Sequence, residues 1–195
     1  MAIIVRPIAD ASELDVVYRL HHDSWVAEGL LDPQPSGRLV RHPEMDADPN
    51  TIVLIAVDDG KIIGTNTLTL DGPLGVPMDH GLREEVDRIR AEGNKLMASW
   101  RIATDPMCRN RMDVVLQLIE ATAKHGVEFG GTVCIYLFAK RHERVYQKIV
   151  SATTICDAGI FYSDAPKWHA VLMRTDATRW GDRGSQGLVD QLRRQ

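Results

Sequence analysis

Cysteine is scarce in this sequence. Cys108, Cys134 and Cys156 are the whole complement. Odd in number and widely spaced, they supply neither a disulfide framework nor a CxxC metal site. The expectation is a reduced, cytoplasmic protein without a metal. Basic charge is not in excess: 23 Lys and Arg face 27 Asp and Glu, a formal net charge of −4. That balance argues against nucleic acid as a partner. No apolar run approaches the ~18 residues of a membrane span. The opening Met1-Ala2-Ile3-Ile4-Val5-Arg6-Pro7 lacks the charged-then-apolar plan of a signal peptide. Internal repeats and low-complexity tracts are missing as well.

What is present is an ordinary globular mixture, 44% hydrophobic and 26% charged over 195 residues, enough for one domain. The reading assigns residues 1–178 to that domain and 179–195 to a flexible, charged, Gly-containing tail. A short strand at 3–6 leads to a helix, with Ser12 read as N-cap and Asp15 as an imperfect capping box. Leu14, Val17, His21 and Trp25 follow at helical spacing, and Gly29 suits the stop. Residues 32–50 carry Pro33, Pro35, Pro43 and Pro49, and read as a long irregular connection of the kind that is often functional. Strands at 52–57 and 61–70 flank Asp58-Asp59-Gly60, a hairpin turn. The return strand alternates Ile63, Thr65, Thr67 and Thr69 against its other face. A short helix runs from Leu82 to near Gly93, and a strand from Leu96 to Thr104. A helix follows with Met112, Val115, Leu116, Ile119 and Ala123, then a strand at 132–138 and a basic helix at 141–149. Two weaker strands, near 153–162 and 168–174, complete the order. The strand–helix–strand passage at 96–138 implies one parallel pair with a right-handed crossover. The fold class is mixed α/β, with an otherwise antiparallel sheet.

Two junctions carry the chemistry. Asp105-Pro106-Met107-Cys108-Arg109-Asn110-Arg111 precedes the best helix. Free N–H groups and the dipole at a helix start favour an anion, and Arg109 and Arg111 add charge. Two solvated arginines at a helix start fit the same pattern. The second junction is Lys140-Arg141-His142-Glu143-Arg144-Val145-Tyr146-Gln147-Lys148. Arg141, Arg144 and Lys148 share a helix face, which a plain solvated helix would also explain. Tyr146 is expected on the face toward the sheet, where a hydroxyl normally needs a partner.

With these junctions the chain resembles the GNAT acyltransferase superfamily over roughly residues 3–174. The resemblance implies a sheet whose parallel strands splay. It also implies a loop at Arg109-Asn110-Arg111 that holds donor phosphate, and Tyr146 as general acid to a leaving thiolate. Asn110 and Met112 stand where that superfamily carries glycines around a pyrophosphate. The departure favours a phosphopantetheine donor on an acyl carrier protein, with acyl-CoA as the other possibility. A narrower resemblance, to the N-acyl amino acid synthase family and its acyl-homoserine-lactone synthase relatives, rests on two stretches. One is Gly64–Asp79 with Glu84-Glu85-Val86-Asp87 and Arg90-Ala91-Glu92-Gly93. The other is Arg141-His142 ahead of Tyr146.

This resemblance implies an N-acyltransferase acting on the amine of an amino acid or similar small molecule. Arg101, Ile102 and Ala103 fall at the catalytic strand, Ile102 and Ala103 offering backbone N–H groups to the oxyanion. Arg109, Asn110, Arg111, Arg141 and His142 fall at the donor, and Trp25, Ser99 and Trp100 at the substrate. Ala98 stands where the family pattern has a glutamate, the candidate base, leaving His21, His22, Asp79 or His80 as substitutes. Two rivals stay open, an acetyl-CoA-dependent N-acetyltransferase and a silent acyl- or carrier-binding module. The small net charge hides two basic segments, +3 over 140–148 and +2 over 101–111. They suit a phosphate-bearing or acidic donor.

Overall fold

The computed structural model describes residues 3–108 and 110–176. The tail read from residue 179, and Arg109, lie outside the described residues. The chain orders itself as β1 (Ile4–Pro7), α1 (Ala11–Ala27), β2 (Thr51–Asp58), β3 (Lys61–Leu70), α2 (Asp79–Ala91), β4 (Leu96–Thr104), α3 (Met112–Glu128), β5 (Val133–Ala139), α4 (Glu143–Ile149), β6 (Thr153–Ile160) and β7 (His169–Asp176). The strands form one sheet in the order β1-β2-β3-β4-β5-β7-β6. Every neighbouring pair is antiparallel except β4 and β5. That is the mixed sheet with one parallel pair expected from the sequence.

Local chemistry explains most boundaries. The N-cap of α1 is Asp10, two residues before the expected Ser12. Its carboxylate accepts from the N–H groups of Ser12 (2.8 Å) and Glu13 (3.2 Å), and Glu13 accepts from Ala9 N–H at 2.7 Å. A carboxylate thus outranks the serine hydroxyl for the free helix donors. Gly29, at φ 68°, ends that helix as expected. In the hairpin, Asp59 (φ 49°) and Gly60 (φ 76°) are both left-handed, the requirement of the tight turn that matches strand twist.

β2 and β3 are buried on both faces because helices cover both. Val53 and Ile55 pack with Val17 of α1. Leu54, Ala56 and Ile63 pack with Val114 and Leu118 of α3. α2 lies on the α1 side, its Val86 and Ile89 against Leu96, Ala98 and Trp100. Ile119 of α3, with Tyr146 and Ile149 of α4, meets Met97, Cys134 and Tyr136 on the other side. Both alternating sets of β3 are therefore covered: Ile63 through Thr69 are all buried. Two of the buried threonines there find partners. Thr65 donates to Leu54 O at 2.9 Å, and Thr69 takes the Trp100 indole N–H at 3.0 Å.

Arg90 fixes α2 to the end of β3. Its guanidinium meets Asp71 and Asp79 with two bonds each, 2.7–2.8 Å. Asp79 also accepts the Val76 N–H at 2.8 Å.

Candidate active site

The site grows out of a defect in the sheet. β4 and β5 pair from Leu96↔Val133 to Ser99↔Tyr136 and then part, although β4 continues to Thr104 and β5 to Ala139. On its other edge β4 carries a bulge. Thr65 lies opposite Ala103 and Thr67 opposite Trp100, so Arg101 and Ile102 together face Asn66. Arg101 takes φ 57°, a left-handed conformation that costs a non-glycine residue about 1–3 kcal/mol. The bulge twists the strand locally, at the point where it leaves β5. A cavity of about 610 Å³ fills the opening.

Buried interactions hold the bulge. The Arg101 side chain is wholly buried and pairs with Asp46 at 2.8 Å. It also donates to the Arg41 carbonyl at 2.9 Å, and its guanidinium lies 4.2 Å over the Trp100 ring. Asp46 in turn accepts the Tyr18 hydroxyl at 2.5 Å. Ser99 is tied to Asn66, whose amide donates to the Ser99 hydroxyl (2.9 Å) and to Thr122 (2.8 Å). The polar face of the splay is thus preset before any ligand arrives.

Tyr146 sits where the sequence put it, on the sheet side of α4. Its ring stacks on Phe138 of β5, 3.4 Å between centroids and 2° from parallel. Burial, with a smaller contribution from the Glu28 carboxylate, pushes its phenol above the ordinary tyrosine range. Tyr146 therefore holds its proton throughout neutral pH. Trp25, Tyr162 and Trp168 make an aromatic wall, Trp25 and Trp168 lying 5.0 Å apart and Tyr162 and Trp168 stacking at 5.4 Å. Arg41 lies 4.1 Å over the Tyr162 ring and pairs with Asp164 at 2.8 Å.

Of the residues expected from sequence, Tyr146, Arg101, Ile102, Ala103, Arg141 and His142 line this one cavity. So do Trp25, Ser99 and Trp100. Asn110 and Arg111 are not among its lining residues. Arg111 is instead engaged by Asp113 at 2.8 Å and Asp58 at 3.2 Å. Arg141 pairs with Glu28, and Lys140 with Asp157. Ala98 is fully buried in the core beneath α2. Of the four substitute bases, only His21 reaches the cavity. Burial first, then Arg101 and Arg41, lower its pKa to about 3, so it is neutral at physiological pH. His22 is fixed between Asp23 (2.8 Å) and the Gln34 N–H (3.0 Å), and Asp79 is held by Arg90. No sequence pattern marks Arg41 and Asp46, in a loop without periodicity, or Tyr162 and Trp168, which bracket the turn before β7.

The comparisons with known proteins agree with this geometry. The family model of N-acyl amino acid synthase FeeM matches residues 16–176. Among curated proteins none matches the chain in sequence. Among solved structures, FeeM, an N-acyl amino acid synthase from uncultured soil microbes, superimposes with a TM-score of 0.78 at 18% identity, covering 94% of this chain and 95% of that one. BjaI, a CoA-dependent acyl-homoserine lactone synthase solved with SAM and isopentyl-CoA, gives 0.59 at 18% identity, covering 90% and 84%. An acyl-CoA N-acyltransferase from Pseudomonas aeruginosa gives 0.58 at 15% identity, covering 89% and 97%.

Proposed function

Because the chain belongs to the N-acyl amino acid synthase FeeM family, a family of acyltransferases, we propose that it joins an acyl group to the amine of an amino acid or similar small molecule. The donor in this reading is a phosphopantetheine thioester, on an acyl carrier protein or as acyl-CoA. The observation that carries the reading is the splay after Ser99↔Tyr136, which opens a large cavity beside a tyrosine that stays protonated.

The amine, once deprotonated, attacks the thioester carbonyl carbon. A C–N bond forms and the carbonyl oxygen takes the negative charge. Beyond Ser99, the edge of β4 toward β5 has no strand partner; Ala103 is paired with Thr65 of β3, so in this reading the N–H of the neighbouring Ile102 serves that oxyanion. The intermediate then expels the thiolate, the C–S bond breaks, and Tyr146 donates the proton that the thiolate takes up. The proton lost by the amine returns to the tyrosine through solvent. Arg141 and His142 stand at the cavity beside Tyr146, where the arm's phosphate or an acidic carrier would approach. Because Ala98 carries no titratable group and His21 refuses a proton in the folded chain, the amine loses its proton to bulk base. A cavity of about 610 Å³ suits a long acyl chain better than an acetyl group.

The test is turnover with acyl carrier protein- and CoA-linked donors of several chain lengths against a panel of amino acids. Tyr146→Phe keeps the stack on Phe138 but removes the proton. It should lower kcat by about 10²–10⁴-fold, the usual worth of general acid catalysis. Unchanged turnover in that variant would remove Tyr146 from the mechanism.

A further inference from the structure

A second cluster of reactive side chains lies apart from the residues used above. His42 and Glu44 come from the long connection before β2, and His80 from the first turn of α2. One donor atom of each lies within 4.8 Å of the others. His42 Nδ1 is 3.6 Å, and His80 Nε2 3.4 Å, from the same oxygen of Glu44. Both separations exceed the ordinary hydrogen-bond range of about 2.7–3.2 Å. They match the edge of a coordination tetrahedron: donors bound to one Zn²⁺ at 2.0–2.2 Å stand about 3.4 Å apart.

The surroundings fit a ligand set. The His42 side chain is only 9% exposed. Its far nitrogen, Nε2, is 3.1 Å from the Tyr162 hydroxyl, and its ring meets Trp100 edge-on at 5.5 Å. Metal-binding histidines characteristically hold the second ring nitrogen against such a partner, which fixes ring and tautomer and leaves the other nitrogen for the ion. The His80 ring lies 4.7 Å from that of His42. His42 itself sits at φ 48° and ψ 54°, a left-handed conformation uncommon outside glycine. Arg41 and Arg101 also bear on His42, but each already has a carboxylate, Asp164 and Asp46. Their positive charge is thereby offset. Two imidazoles and a carboxylate select a zinc-class ion over calcium or magnesium, which prefer all-oxygen sites.

We propose that His42, Glu44 and His80 bind one Zn²⁺ ion, with water as fourth ligand. The ion ties the loop before β2 to α2. It thereby braces Trp100 and Tyr162, two rings of the cavity wall, from behind. The site was invisible in the sequence because the third ligand comes from a different element, far along the chain.

The experiment strips the full-length chain with a chelator. It then titrates Zn²⁺ by calorimetry and Co²⁺ by visible absorption, where tetrahedral cobalt gives strong bands. The wild type should bind one equivalent, and Zn²⁺ should raise its melting temperature. His80 and Glu44 have side chains 56% and 45% exposed, so His80→Ala and Glu44→Gln should fold normally and lose saturable binding, cobalt bands and thermal shift. Tyr162→Phe should weaken binding by about 10–100-fold, the usual effect of losing a supporting partner. No saturable binding by the wild type, or equal binding by wild type and His80→Ala, would overturn the proposal.

Discussion

Asp46 is the residue on which the bulge of β4 depends. It is the carboxylate of the fully buried Arg101 side chain and the acceptor for Tyr18. Removing one partner of such a pair strands a buried charge and costs about 3–5 kcal/mol. Asp46→Ala should lower unfolding free energy by that amount in urea titrations, and a loss under 1 kcal/mol, on the scale of a surface pair, would show that Arg101 finds other compensation. His21 makes a pH-dependent contribution. Its folded pKa, about 3, lies below the 6.5 of a free imidazole, so the unfolded chain takes a proton that the folded chain refuses. The stabilisation is whole above pH 6.5 and is lost as pH falls toward 3. The slope is about 1.4 kcal/mol per pH unit. His21→Asn should flatten the decline in stability between pH 6.5 and 4, measured by denaturant titration at each pH. An unchanged slope would mean that other groups set it.

Among the elements, α3 is seated closely on the sheet. It rests on β3 at Gly64, where a Cβ would come within 2.9 Å of Val114 Cγ1 and 3.0 Å of Leu118 Cδ1. Gly64→Ala must therefore displace the Val114 and Leu118 side chains of the helix that also carries Met112 and Val115 at the cavity. We expect a loss of about 1–3 kcal/mol, typical of overpacking, and a reduced kcat/KM. Stability equal to wild type would mean the helix yields freely. The same elements mark what was legible in the sequence. Strands β2 to β5 and helix α3 follow from apolar periodicity and the Asp59-Gly60 turn, because one physical signal dominates each. Of the nine cavity residues named from sequence, Arg141, His142 and Tyr146 belong to the strand-to-helix junction at 140–148, whereas Trp25 and the five of β4 followed only from the family resemblance. The α1 cap was misplaced because two candidate capping oxygens lie two residues apart. The Asp46–Arg101 pair and the aromatic wall were out of reach. They join loop residues to strands distant in sequence, and no local pattern encodes such a contact.

At the scale of the molecule, charge is more evenly matched than the sequence suggested. Of the basic segments at 101–111 and 140–148, Arg101 and Arg141 line the cavity and Arg111 does not. Yet Arg101, Arg111, Lys140 and Arg141 each face a carboxylate of the same chain. A donor phosphate would have to compete for them. What distinguishes the whole is therefore shape: a sheet opened between its two parallel strands, lined by aromatic rings, with the protonated Tyr146 on the wall. The central claim is that this opening performs acyl transfer to an amine. Its most direct measurement is a single assay that follows amide product by mass spectrometry and released thiol by a chromogenic reagent. The assay uses carrier-linked and CoA-linked long-chain donors with the panel of amino acids. The account predicts amide and thiol in equal amounts for wild type, and both falling together in Tyr146→Phe. Thiol without amide, or neither product from a folded protein with any donor, would contradict it.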